Sequence, residues 1–203
     1  MIKSQMNPHF FFNAINNIQS FIFMNESKEA SGYLSKFSKL TRKILEFSEV
    51  NTITLEEEID SLKLYLEIQQ MRFKDLNFSI KTTNIEDLKA LKIPTMLVQP
   101  YVENAILHGL SHSEKEKKLI VHFKFTEPNI IHIYVRDNGI GREKSTEINK
   151  SNTLKNKSFA TKANMERIKL LNKDQYNIEI KYRDLWSIQE KSLGTLVIIK
   201  IEL

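Results

Sequence analysis

Residues 134–141 read Tyr-Val-Arg-Asp-Asn-Gly-Ile-Gly, a strand that ends and gives way to D-x-G-x-G. An ionised Asp137 in that place can accept a hydrogen bond from an exocyclic amine, such as that of adenine. Gly139 and Gly141 let the backbone turn sharply and approach a ligand. Taken alone, the plainer reading is a strand-end turn rich in Asn and Gly. Upstream, residues 98–109 read Val-Gln-Pro-Tyr-Val-Glu-Asn-Ala-Ile-Leu-His-Gly. On a helix, Asn104 and His108 are four apart and share a face, while Val98, Val102 and Ile106 share another. An asparagine carbonyl oxygen is a hard ligand suited to Mg²⁺, and a nearby histidine can meet phosphate oxygens. The competing reading is an amphipathic helix with incidental polar residues.

Around these two stretches the chain alternates strand and helix from residue 76 onward. Phe78 and Ile80 alternate with polar residues, as in a strand. Pro94 to Leu110 reads as helix. Lys118 to Phe125 and Ile130 to Arg136 read as strands joined by Glu127-Pro128-Asn129. Residues 142–160 lack periodicity and are rich in Ser, Thr, Asn and Lys, which predicts a loop. That loop holds Arg142, Lys144, Lys150, Lys155 and Lys157 against Glu143 and Glu147. It could close over polyphosphate, or simply be solvated. With no GxxxxGK[ST], it is not a P-loop. A helix is expected over Lys162 to Asn172, and strands over 177–183 and 194–202.

The first 75 residues read as helical. Phe11, Ile15, Ile18 and Ile22 make one apolar stripe. Leu34, Phe37, Leu40, Ile44 and Phe47 make another over Glu29 to Ser48. The polar turn Asn25 to Lys28 makes the pair an antiparallel hairpin. Two helices bury little alone, and a second copy giving a four-helix bundle is the simplest partner. A third helix opens at Thr54, where Thr54 and Glu57 form an S/T-x-x-E capping box ahead of Leu55, Ile59, Leu62 and Leu66. Gln5, His9, Asn13 and Asn16 line one face of the first helix. His9 lies about 200° from the apolar stripe at ~100° per residue, so its imidazole is expected to face solvent. Histidine can accept a phosphoryl group; the rival reading is a plain surface histidine. Asn7-Pro8 fits an N-cap and first helical position, or a kink in a helix that starts upstream.

Composition narrows the classes. The 203-residue chain is 41% hydrophobic, enough for a buried core, and has no cysteine, hence no disulfide framework or thiolate metal site. No apolar run reaches the ~18 residues of a membrane span, and the start lacks a signal-peptide core. The net charge of +5 permits nucleic-acid binding, but the basic residues are spread out with no aromatic-interleaved cluster, so no nucleic-acid partner is expected.

These segments, in this order, resemble the sensor histidine kinases of the LytS/YehU type, which pair a phosphoacceptor module with a GHKL ATPase domain. Residues 3–13, Lys-Ser-Gln-Met-Asn-Pro-His-Phe-Phe-Phe-Asn, look like the phosphoacceptor box, and the match makes His9 the phosphorylated histidine, with Asn13 placed to orient its imidazole. Pro100 to Gly109 looks like the N box, with Glu103 as the catalytic acidic residue and Asn104 as the Mg²⁺ ligand. Asp137, Gly139 and Gly141 look like the G1 box that holds adenine. Residues 53–73, with Tyr65-Leu66 and Arg72-Phe73, resemble the connecting helix, and Gly194-Thr195 the final GT. The resemblance favours a continuous, kinked first helix. It departs at Ala160, in a second glycine box (158–168) where glycine is usual; were a left-handed backbone needed there, alanine would cost roughly 1–2 kcal/mol. Arg167 still matches.

The resemblance implies an α+β chain: a dimerisation and phosphotransfer hairpin (1–50), a connecting helix (51–75) and a GHKL (Bergerat) α/β sandwich with a mixed sheet and three helices (76–203). It implies ATP and Mg²⁺, with His108 and the lid lysines near the phosphates, autophosphorylation on His9, and transfer to an aspartate of a response regulator. It further implies a homodimer through the first two helices, and a cytoplasmic part of a membrane-anchored sensor whose upstream segments lie outside this sequence. The rival readings are a nucleotide-binding regulatory dimer without phosphotransfer, or another GHKL ATPase.

Overall fold

The computed structural model describes residues 8–151, 157–174, 176–186 and 192–203. In chain order the elements are α1 (Pro8–Phe23), α2 (Ser27–Ser48), β1 (Thr52–Thr54), α3 (Leu55–Arg72), β2 (Leu76–Thr83), β3 (Lys92–Pro94), α4 (Gln99–Asn104) with a π-helical continuation (Ala105–Leu110), β4 (Lys117–Glu127), β5 (Ile130–Asp137), α5 (Arg142–Ser151), α6 (Lys157–Asp174), β6 (Asn177–Trp186) and β7 (Ser192–Glu202). They form two compact units: residues 1–74 with 89–96, and residues 75–88 with 97–203. None of the described helices is long and apolar enough to cross a membrane.

In the first unit, α1 and α2 form the hairpin. Asn25 takes the left-handed backbone (φ 58), a conformation that asparagine tolerates better than most residues. Ala14, Ala30, Tyr33, Leu40, Ile44 and Phe47 are buried, and Asn17 Nδ2 donates to the Tyr33 hydroxyl at 3.1 Å. The expected apolar faces are only partly right. Ile15, Ile22 and Leu34 are about half exposed, and Phe12 and Phe23 more so. The reason is that α1 is apolar on several sides, and one antiparallel neighbour covers only one of them.

The Thr54 capping box is present: the Glu57 N–H donates to Thr54 Oγ1 at 3.2 Å and the Thr54 N–H to Glu57 Oε2 at 2.8 Å. It starts α3, which buries Leu55, Leu62, Tyr65, Leu66 and Ile68. Sequence reading missed β1 and β3, which pair antiparallel with Ile53 opposite Ile93. Residues 89–96 therefore belong with the first unit, although they fall inside the 76–203 stretch.

The second unit is a five-stranded mixed sheet in the order β2-β4-β5-β7-β6, with β2 and β4 parallel and the other pairs antiparallel. Alternate residues point into the core, among them Leu119, Val121, Phe123, Ile131, Ile133, Val135, Val197, Ile199 and Ile201. From the helical layer, Val98, Tyr101, Val102, Ile106, Leu110 and Ile168 complete it. This is the α+β architecture with a mixed sheet expected from the sequence, and α4 with its continuation, α5 and α6 supply three helical elements.

Three boundaries differ. The helix expected over 94–110 begins at Gln99, because Pro94 ends a strand and Met96 has a positive φ of 50; Pro100 then sits in the first turn, where its missing N–H costs nothing. Its second half widens to i→i+5 hydrogen bonding, closed by the Ser111 N–H to the Ile106 carbonyl at 2.9 Å. The stretch 142–160 is not a loop throughout: α5 occupies 142–151 and α6 begins at 157. Among the described side chains of α5, Ser145 is the buried one, so a serine rather than an aliphatic residue marks its inner face and hides the helical period.

Candidate nucleotide site

Asp137 ends β5, opposite Thr195 of β7 and Leu119 of β4. It is 4% exposed. Its Oδ1 accepts from the Gly139 N–H at 2.8 Å, and the Thr195 N–H also donates to the carboxylate. Burial pushes the carboxyl up to about 6 against the pull of these N–H groups. Asn138, one residue on, points the other way and pins the turn to β4: the Lys118 N–H donates to its Oδ1 at 2.7 Å and its Nδ2 donates to the Glu116 carbonyl at 2.8 Å. The strand pleat thus separates a structural asparagine from an inward carboxylate.

The π-helical turn abuts this motif. The Ile140 N–H donates to the Gly109 carbonyl at 3.1 Å. A Cβ on Gly139 would lie 2.6 Å from Gly109 Cα, and one on Gly109 would lie 2.9 Å from Asp137 Oδ1. Close approach of two backbones, more than turn geometry, is what demands glycine at 139.

α4 carries the acidic and amide residues. Gln99 Nε2 donates to Glu103 Oε1 at 3.1 Å, and burial raises the Glu103 carboxyl above its ordinary value. Asn104 is exposed and His108 half-buried. They stand on either side of the change from α- to π-helical winding, so they do not share a face in the simple i, i+4 sense. Tyr101 is buried; burial raises its phenol, Asn164 of α6 hydrogen-bonds it, and the charge of half-buried Arg167 pulls the other way. Among the described residues no three His, Asp or Glu side chains gather as a metal cage. Mg²⁺ held by one amide oxygen, phosphate oxygens and water needs none, and exposed Asn104 suits that donor set.

Of the residues singled out from sequence, Asp137, Gly139 and Thr195 meet in one cluster. Gly141 follows with a φ of 80. Glu103, Asn104 and His108 lie on the helix whose end, Gly109, touches that cluster. His9 and Asn13 lie on α1 in the first unit. Asn13 is half-buried, and the His9 side chain is outside the described residues, as are Gln5 and Asn7. Ala160 lies in the helical backbone of α6, where alanine is the best residue rather than a strained one. The penalty weighed for a left-handed alanine therefore does not arise. Lys155 is outside the described residues.

Sequence reading missed the support for the site. Tyr101, Asn138 and the Arg142–Asp184 pair have no local signature. Gly194, by contrast, was singled out with Thr195 as the final Gly-Thr pair, and a Cβ there would sit 2.7 Å from Asn138 Cα.

The histidine kinase family model matches residues 1–77. Over 142 residues the chain is 36% identical to the sensor protein LytS of Staphylococcus haemolyticus, covering 69% of this chain and 24% of that protein. Over 144 residues it is 34% identical to the sensor histidine kinase/phosphatase LytS of Staphylococcus aureus, covering 70% and 24%. The chain thus spans about a quarter of the length of these relatives. In fold it matches the blue-light activated histidine kinase EL346 of Erythrobacter litoralis, with a TM-score of 0.50 at 13% identity over 98% of this chain and 64% of that one. By sequence, residues 1–77 belong to the histidine kinase family, and over 142 residues the chain is similar to kinases of the LytS type.

Proposed function

We propose that this chain is the catalytic part of a two-component sensor histidine kinase, with residues 1–50 as dimerisation and phosphotransfer segment, 51–75 as connecting helix and 76–203 as ATP-binding domain. ATP binds in the second unit, and its γ-phosphoryl group passes to His9. The observation that carries this reading is Asp137: a buried carboxylate whose fixed oxygen accepts from Gly139, beside the helix that bears Glu103 and Asn104.

In that site Asp137 accepts from the adenine amine and Asn104 ligates Mg²⁺. The ion, when bound, neutralises charge on the phosphates. His108, Arg167 and the lid lysines orient the phosphates. In transfer, an imidazole nitrogen of His9 bonds to the γ-phosphorus as the bond to the ADP oxygen breaks, and a base takes the imidazole proton. Glu103 suits that role: a carboxyl raised by burial is a stronger base near neutral pH than an ordinary one. Asn13, one turn on from His9, orients the ring. The phosphoryl group then passes to an aspartate of a response regulator. Exposed Phe12, Ile15, Ile22 and Phe23 support a homodimer through α1 and α2, and a cytoplasmic location follows from the source of ATP.

The test is incorporation of label from γ-labelled ATP. The protein is expected to take up acid-labile label, and His9→Gln to abolish it. Label that persists in His9→Gln removes His9 from the reading; nucleotide binding with no label in either protein would favour a regulatory dimer.

A further inference from the structure

The chain leaves the Gly139–Gly141 turn through Arg142, the first residue of α5. Its guanidinium makes two parallel hydrogen bonds to Asp184 of β6, Nε to Oδ1 at 2.8 Å and Nη2 to Oδ2 at 2.6 Å. The same group lies 5.1 Å from the centre of the Tyr182 ring. Tyr182 in turn packs against Tyr101 of α4, with ring centres 6.4 Å apart. Tyr182 and Asp184 are two apart on one strand, so both point to the face of the sheet where the helices lie. Arg142 therefore connects three places: the exit of the glycine turn, the edge strand β6, and the helix that carries Glu103 and Asn104. It also walls a cleft of about 250 Å³ with Ile140, Gly141, Asp184, Trp186 and Ser192.

We infer that Arg142 is a positioning residue for nucleotide binding, acting through Asp184 and Tyr182 to fix the turn that holds Asp137. This rests on the proposed ATP site. An isolated exposed ion pair contributes little, and here the two side chains are 49% and 28% exposed. The bidentate geometry and the ring beneath the guanidinium change that balance, because each restricts the orientation the other needs. The pairing also raises the Arg142 guanidinium and lowers the Asp184 carboxyl from their ordinary values. The Gly109–Gly139 contact already joins the helix that bears Glu103 to the turn after Asp137. The Arg142–Tyr182–Tyr101 path links the same two motifs from the other side of the turn. Without it, the segment 140–142 loses its anchor on β6, and the turn that holds the Gly139 N–H against Asp137 opens more readily.

The experiment titrates a fluorescent ATP analogue into wild type, Arg142→Ala, Arg142→Lys, Asp184→Asn and Lys181→Ala, with melting temperatures of the nucleotide-free proteins alongside. Lys181 pairs with Glu179 on the same strand and serves as the control. Arg142→Ala and Asp184→Asn should each weaken binding about three- to ten-fold with little change in melting temperature, and Arg142→Lys should recover only part of the loss. Lys181→Ala should match wild type. Amide exchange at Gly139 and Gly141 in the nucleotide-free protein should quicken in Arg142→Ala, while amides of β4 stay as they are. Unchanged affinity and unchanged exchange in Arg142→Ala would overturn the inference and leave the ATP site standing. If wild type binds no nucleotide, the ATP reading falls, and the exchange at Gly139 still decides whether Arg142 holds the turn.

Discussion

At the scale of a residue, Asp137 sets function against stability. Its carboxyl, ordinarily near 3.8, stands at about 6 in the fold because burial disfavours the charge. The folded state therefore binds this proton more tightly than the unfolded chain does. Between those two values stability falls as pH rises, and above about pH 6 the full penalty, roughly 3 kcal/mol at ~1.4 kcal/mol per unit, is present. Binding runs the other way, because an adenine amine needs the ionised acceptor. Asp137→Asn should thus raise the stability of the nucleotide-free protein by about 1–3 kcal/mol at pH 8 and by less at pH 5, while weakening nucleotide binding at least ~10-fold. Denaturant melts at the two pH values check the first part and a nucleotide titration the second. A variant less stable than wild type at pH 8 would show that the ionised carboxylate contributes more to the fold than it costs. Nucleotide affinity of the wild type should likewise fall as pH drops below about 6.

Among the elements, α1 carries an excess of apolar surface: Phe12 is 67% and Phe23 86% exposed. If a second copy covers this surface, Ile15→Asp with Ile22→Asp should convert a dimer to a monomer, which light scattering reads directly. A double variant that stays dimeric would move the interface elsewhere. The hairpin and the α3 cap could be read from sequence because their signals are local: a 3.6-residue period, a polar turn, and four residues of a capping box. Strands β1 and β3 could not, since three residues are too few to show alternation and each needs a partner about 40 residues away. The winding change after Asn104 was equally hidden, because nothing in Ala105–Leu110 announces i→i+5 bonding. In the site, the D-x-G-x-G glycines were legible as a motif. Which of Asp137 and Asn138 points inward is set by the register of β5 on β7, and the reach of Arg142 to Asp184 spans 42 residues.

Across the whole molecule, the two units have separate cores, and the single tryptophan, Trp186, belongs to the second. Ligand that binds only the folded second unit stabilises it by about 2.7 kcal/mol at a hundred times its dissociation constant. Tryptophan fluorescence should therefore report a transition that ATP with Mg²⁺ shifts upward. The far-ultraviolet signal, dominated by α1 to α3, should shift less. Identical shifts by both probes would mean that the units unfold as one. The backbone contact between Gly109 and Gly139 has a consequence for descent as well. Thirty positions apart, the two glycines occupy a gap that neither can yield alone: a methyl group at 139 meets the Gly109 main chain, and one at 109 meets the Asp137 carboxylate. No single substitution at one site can be offset by a substitution at the other, because each is already the smallest residue. In a lineage that keeps this site the two positions should stay frozen together, and in one that abandons it they should begin to drift at the same time.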